Sequence, residues 1–298
     1  MARTDARANV LEQLSMEQGV IGLLLVDKPS TNALWNERVD RLGLVVKERP
    51  AAGDDIEHWL WDDERIRVKR VSRDQLESRI VGSSGRGMTH WLLQGEIVFE
   101  KDRYLTNLKA RLMEWSPLIR DRKLLSEFSH FVRSYSLAKQ DLRDGQVLDA
   151  YSNVLASLHN WAHIVLVEEG MHPELTVWEQ LRRVNPGIYK LFEELTTSGE
   201  TLEQRVQLVL LACEFTILNK LETSCSLLIR VIESRAEPWT PSELLHHPEL
   251  AGLALELSVL LFKLANRGCV REIAKPSARP VNGLFELKYT SAKAPKIG

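Results

Sequence analysis

The segment at residues 19–46, GVIGLLLVDKPSTNALWNERVDRLGLVV, limits the folds open to this chain more than any other stretch. Two short runs, 20–26 and 42–46, are rich in leucine and β-branched residues and bounded by polar segments, so they read as strands. A polar excursion separates them, and an acid, Asp40, stands just before the second run. The chain therefore opens with a sheet that carries a carboxylate at one strand entry.

The remainder of the first 118 residues is mixed α and β. Residues 9–18 read as a short helix and 50–55 as a turn-rich break. Residues 57–61 and 65–72 read as a hairpin around Asp62 and Asp63, and the alternation in IRVKRV puts Ile66, Val68 and Arg70 on one face. A short helix is expected over 73–80, a flexible loop over 82–87, and one or two extended pieces over 90–99, broken near Gly95. Leu105, Leu108, Leu112 and Trp115 fall at helical spacing. The composition changes near Ser116 and Pro117. From there, 126–143, 146–169, 177–185, 187–196 and 202–233 fit helical spacing, with breaks marked by Gly145, Gly170, Pro186 and Gly199. After Glu237, helices are expected at 242–246 and 249–266. Gly268 suits an αL cap, and strands at 269–273 and 284–289 flank an Asn282-Gly283 turn signal. The reading is an α+β chain in three parts: an N-terminal mixed sheet with helices (1–117), an all-α middle domain (118–235) and a small winged-helix-like module (236–298). The tail from Thr290 reads as disordered.

Composition narrows the function classes. With 44% hydrophobic and 27% charged residues the chain has no disordered signature, and a formal charge of −2 opposes wholesale coating of nucleic acid. Cys213, Cys225 and Cys269 lack metal-site spacing, and their odd number favours a reducing compartment. The N-terminus carries acids and no long apolar core, unlike a signal peptide, and the apolar runs stop short of a membrane span. These features place the chain in the cytoplasm, away from membranes.

Several residues carry possible chemistry. Asp40 reads either as a metal-binding carboxylate or as a turn residue entering a strand. A metal site needs several acids converging on one point, but Leu42 stands two positions on, and the neighbouring strand offers Arg67, Lys69 and Arg70. Those cations, with Lys28, can bind phosphate without a metal, or they form a solvated strand face. GSSGRG at 82–87 lacks a following Lys-Ser/Thr pair and reads as a flexible connection. His159 and His163 lie one helical turn apart; without a Glu in the HExxH position or an evident third ligand, they read as a packed or substrate-facing helix surface. Trp161, Trp178 and Tyr189 read as core aromatics or pocket walls. Lys263, Arg267, Arg271, Lys275, Arg279 and Lys288 gather in the last module, but residues 236–289 hold six Lys or Arg and six Asp or Glu. Docking to protein and docking to DNA both remain open there, with packing favoured over a grip on DNA.

The strand VIGLLLVDK, the segments HWLWDDERIRVKRVS and HWLLQGEIVFEKD, the run SLHNWAHIVLVEEGMHPELTVWEQ and the terminal FELKY resemble a small bacterial family of nucleotidyltransferase-like proteins. The resemblance implies a nucleotidyltransferase-like domain, a helical domain similar to the substrate-binding domain of such enzymes, and a C-terminal helix-turn-helix-like domain. In the wider superfamily a Gly-Ser turn follows the first strand, and the second strand carries two acids that hold magnesium against a nucleoside triphosphate. Here Asp27, Lys28 and Pro29 stand at the turn, and only Asp40 carries over as a catalytic carboxylate. The expected protein binds a nucleotide or phosphorylated ligand through a degenerate metal site, with weak or no transfer. One alternative is an active transferase that combines Asp40 with Glu96 or Glu100 and modifies a small molecule held near His159 and His163. Another is a regulatory protein that binds DNA or protein through its last domain.

Overall fold

A computed structural model describes residues 14–27, 39–49, 56–61, 63–81, 86–174, 176–276 and 283–292. The chain divides into two compact units, Met1–Ile119 and Arg120–Gly298.

The first unit is built on one five-stranded sheet. Its strands are β1 (Val20–Asp27), β2 (Arg41–Lys47), β3 (Ile56–Trp61), β4 (Glu64–Ser72) and β5 (Glu96–Glu100), in the order β3-β4-β2-β1-β5. The three runs expected as neighbouring strands, at 20–26, 42–46 and 66–72, are neighbours. β1 runs antiparallel to β2 and β5, β3 and β4 form the expected hairpin, and β2 and β4 are parallel. The apolar runs of β1 and β2 are central because both of their faces are buried. On one face, Leu24, Val26, Leu42, Leu44, Val46 and Val71 lie under three helices, α1 (Arg73–Val81), α2 (Arg86–Gln94) and α3 (Tyr104–Met113). Leu76, Leu92, Leu105 and Leu108 are the apolar residues those helices send into the core. On the other face, Val20, Leu23, Val45, Ile66 and Val68 pack with Leu14. Each fully buried aliphatic side chain contributes about 1.5–3 kcal/mol.

The extended pieces expected over 90–99 are wrong in their first half: α2 runs to Gln94, and only Glu96–Glu100 is a strand. Met88 and Leu92, four residues apart, bury one helical face. Gly95 makes the junction. A Cβ there would run into the Leu24 side chain and stand 2.6 Å from the carbonyl oxygen of Trp91. Of the expected loop at 82–87, residues 82–85 lie outside the described residues and Arg86 and Gly87 begin α2. Of the expected helix at 9–18, residues 9–13 also lie outside them, and residues 14–16 are helical.

The second unit is helical with a small terminal sheet. Its helices are α4 (Pro117–Arg143), α5 (Val147–Glu168), α6 (Val177–Val184), α7 (Pro186–Thr197), α8 (Leu202–Ser224), α9 (Ser226–Glu233), α10 (Pro241–Leu245) and α11 (Leu257–Asn266). α4 starts earlier than the apolar period suggested, with Pro117 at its first position, where the missing N–H costs nothing. The single helix expected over 202–233 divides at Cys225. The helix expected over 249–266 begins only at Leu257, after a turn through Gly252 at φ +78°. Leu250 and Leu253 in that turn are buried, and the Glu256 N–H donates to Ser129 Oγ at 2.8 Å.

Strands β6 (Val270–Pro276) and β7 (Phe285–Ser291) form the expected antiparallel hairpin, which extends past Thr290. Gly268 takes the left-handed φ of +69° that its cap position requires. Trp239 exchanges two main-chain hydrogen bonds with Tyr289, at 2.7 and 2.8 Å. β7 packs on α9 and β6 on α11, so the last module belongs to the same compact unit as the middle helices. Asn282 lies outside the described residues. The result is an α+β architecture with an N-terminal sheet, a helical middle and a small C-terminal sheet. Among the described residues no helix is long and apolar enough to cross a membrane.

Candidate functional site

Asp40 directly precedes β2. Its N–H donates to the Arg65 carbonyl at 2.8 Å, and its carboxylate accepts from the Arg65 N–H, also at 2.8 Å. The residue thereby clamps the entry of β2 to β4. Next to it, half-buried Arg41 reaches Asp27 at 3.1 Å and Glu64 at 3.3 Å. A guanidinium therefore stands between Asp27 and Glu64, where a carboxylate-held cation would need open ligands. Glu96 and Glu100 do not join them. Glu96 lies two strands from β2 and level with Gly43, about 10 Å sideways and about 10 Å along from Asp40. Two-metal sites need acids that share ions only about 3.5–4 Å apart. Glu100 is farther along the sheet and accepts from the N–H and hydroxyl of Thr106. Burial would raise its carboxyl pKa, but those hydrogen bonds bring it below the usual range. Among the described residues no three His, Cys, Asp or Glu side chains are placed to hold a metal.

The cations of β4 divide between its two faces. Arg70 shares the face of Ile66 and Val68 and is 8% exposed. It is committed to Glu17 at 2.7 Å and Glu57 at 2.9 Å. Arg67 and Lys69 alternate onto the opposite face and are half-buried. Lys28 lies outside the described residues, with the rest of 28–38.

The second constellation lies in the helical unit. Lys123 and Glu127 are one turn apart on α4, and His159 and His163 are one turn apart on α5. Glu127 is 0% and His163 1% exposed. The Lys123 Nζ stands 3.3 Å from Glu127 Oε1, and His163 Nδ1 stands 3.1 Å from Glu127 Oε2. Burial alone would push the Glu127 carboxyl up, but the His163 hydrogen bond and the Lys123 charge more than reverse this and hold it at about 2. A carboxylate can only accept, so Nδ1 carries the proton and donates. The other ring nitrogen, Nε2, is buried without a hydrogen-bond partner.

A file of rings leads outward from it. His163 meets His159 edge-on at 4.5 Å between ring centroids, and His159 meets Trp178 of α6 at 5.9 Å. Trp178 stacks on Phe192 of α7 at 4.0 Å. His159, Trp178 and Phe192 are all half-buried. Buried Gln180 fixes the approach to α6 by donating to the His172 carbonyl at 3.0 Å and accepting from the Glu174 N–H at 2.9 Å. The two histidines singled out in the sequence thus come together with Trp178. Trp161 instead packs against Phe131 at 6.0 Å, and Tyr189 lies 6.0 Å from the Arg182 guanidinium. Lys123 and Glu127 were missed. The signal was a Lys and an acid at i,i+4 spacing inside the apolar run LLSEFSHFV and its flank.

In the last module, Arg271 and Lys275 are exposed on β6, Lys288 pairs with Glu286 at 3.2 Å, and Arg279 lies outside the described residues.

Residues 5–120 match a nucleotidyltransferase-like family model, and residues 121–220 match a YgxA-like substrate binding domain. The two matches meet next to the division of the structure after Ile119. The chain is 28% identical over 261 residues to the uncharacterized protein YgxA of Bacillus subtilis (strain 168), which covers 88% of each chain. It is also similar to the crystal structure of a nucleotidyltransferase-like protein from Exiguobacterium sibiricum 255-15. That likeness has 28% identity and a TM-score of 0.83, and it covers 96% of this chain and 98% of the other.

Proposed function

We propose, from the premise that this chain belongs to a bacterial nucleotidyltransferase-like family, that it binds a nucleotide or other phosphorylated ligand with weak or no nucleotidyl transfer. The observation that carries this reading is the entry of β2. Asp40 spends its carboxylate on the Arg65 main chain, and Arg41 bridges Asp27 and Glu64. Arg67 and Lys69 on one face of β4, with Lys28, are the candidate phosphate partners, because cations bind phosphate oxygens without a metal. The helical unit, which matches a substrate-binding domain, is read as the holder of a small molecule near His159 and His163. The formal neutrality of residues 236–289 favours packing or protein contact over DNA binding for the last module.

The test is calorimetric titration of the full chain with ATP and GTP, with and without magnesium, beside a transfer assay with labelled triphosphates and hydroxyl- or amine-bearing acceptors. Binding that changes little when magnesium is removed, without label transfer, is expected. Robust transfer that disappears in Asp40→Ala would overturn the reading and establish an active transferase.

A further inference from the structure

Buried polar atoms in folded proteins almost always have a partner, and each exception asks for an explanation. His163 Nε2 is such an exception, and its surroundings determine its chemistry. Glu127 takes the proton-bearing Nδ1 side of the ring, and in the neutral imidazole that leaves a lone pair on Nε2. Lys123 already balances the Glu127 charge, so the cluster holds no spare charge to pair with an ion. At His163 Nε2 itself the unmet polar demand is for one hydrogen-bond donor. The rings that lie between His163 and half-buried positions are those of His159, Trp178 and Phe192, and such ring faces favour an apolar or planar body.

We propose that Nε2 of His163 is the recognition atom of a ligand site in the helical unit, for a small neutral molecule that presents one O–H or N–H donor on a ring. Glu127 is the positioning residue: it sets the tautomer that makes Nε2 an acceptor. The half-buried rings of His159 and Trp178 move aside to admit the ligand, because Nε2 itself has no free surface. This inference rests on reading the helical unit as a ligand-binding domain, and it makes no use of the nucleotide.

The probes are phenol and toluene, which share a ring and differ by the O–H. The full chain, labelled with 15N-histidine, is titrated with each and followed by NMR. Before addition, His163 should show a protonated Nδ1 and an unprotonated Nε2. Phenol should shift the Nε2 signal and bind about tenfold more tightly than toluene, the worth of one hydrogen bond to an otherwise unpaired acceptor. His163→Phe should bring the two affinities together. Trp178→Ala, at the half-buried wall, should weaken both probes and keep their ratio, which preserves the test if the His163 variant does not fold. A reversed tautomer, equal affinities in the wild type, or no Nε2 shift at saturating phenol, as when a buried water alone fills the position, would overturn the proposal. A chain that still binds nucleotide under these results loses only the His163 site. A phenol response without nucleotide binding removes only the nucleotide reading.

Discussion

Replacing Glu127 with Gln keeps the shape of the buried cluster and removes its charge. Folding lowers the pKa of Glu127 from 4.5 to about 2, and lowering a pKa by one corresponds to about 1.4 kcal/mol. The ionised carboxylate therefore contributes about 3 kcal/mol to stability at pH 7. A second route gives a similar figure: removing one partner of a buried ion pair leaves the other charge uncompensated, at about 3–5 kcal/mol, and the Lys123 side chain is only 7% exposed. Because the folded pKa lies below the unfolded one, the contribution is complete above the unfolded value of 4.5 and is lost as pH falls toward about 2. At pH about 3.5, about 2 kcal/mol should remain, so the gap between wild type and Glu127→Gln should narrow by about 1 kcal/mol from its neutral-pH value. Urea unfolding of both chains at a series of pH values measures this. Glu17, Glu214 and Glu243 also have lowered pKa values, and taking the difference between the two chains cancels them. A companion Lys123→Met in the Glu127→Gln background should recover part of the loss, since it removes the stranded charge. A gap below about 1 kcal/mol at pH 7, or one that stays constant down to pH about 3.5, would rule out an ionised Glu127 as the anchor of the cluster.

Arg70→Met should destabilise by about 1–3 kcal/mol, less than for a fully buried pair because Glu17 and Glu57 are partly solvated; an unchanged Tm would show that the bridge from β4 contributes nothing. Gly95→Ala should lower stability by about 1–3 kcal/mol through overpacking against Leu24 and the Trp91 carbonyl, and a wild-type melting curve would contradict that packing. Thr240→Ala removes the Thr240–Glu243 capping box of α10 and should cost about 1 kcal/mol in urea unfolding; no change in midpoint would count against the cap.

The sequence reveals those elements whose physics is local. β1 and β2 are evident from unbroken apolar runs, and β4 from the alternation of Ile66, Val68 and Arg70 with cations. The parallel pairing of β2 with β4 is not evident, because it depends on where the β3–β4 hairpin docks and not on either strand alone. Residues 90–99 misled because Trp91, Ile97, Val98 and Phe99 all favour strands, while the burial of Met88 and Leu92 on one face decided for helix in the first half. In LAGLALEL the leucine spacing looked helical, but Gly252 turns the chain. At the helical cluster, the i,i+4 spacing of His159 and His163 was visible. Glu127 was not, since its histidine partner lies 36 positions away and only the packing of α4 on α5 joins them. The unpaired Nε2 belongs to that packing alone.

The strand order also has a consequence in time. β1 and β2 are central in the finished sheet and leave the ribosome before the neighbours that seal their outer edges, β4 and β5. Glu100 follows Lys47 by 53 residues, which at about 5–20 residues per second is about 3–10 s of synthesis. At the start of that interval the β1–β2 pair has both lateral edges unpaired and two apolar faces, the combination that invites pairing with another chain. The β3–β4 hairpin shortens the exposure on one side, because its two-residue connection closes in about 1–10 μs once made. β1 has no such help. Its edge stays open until Leu25 meets Glu96, so each newly made molecule carries one unsealed apolar strand throughout that interval.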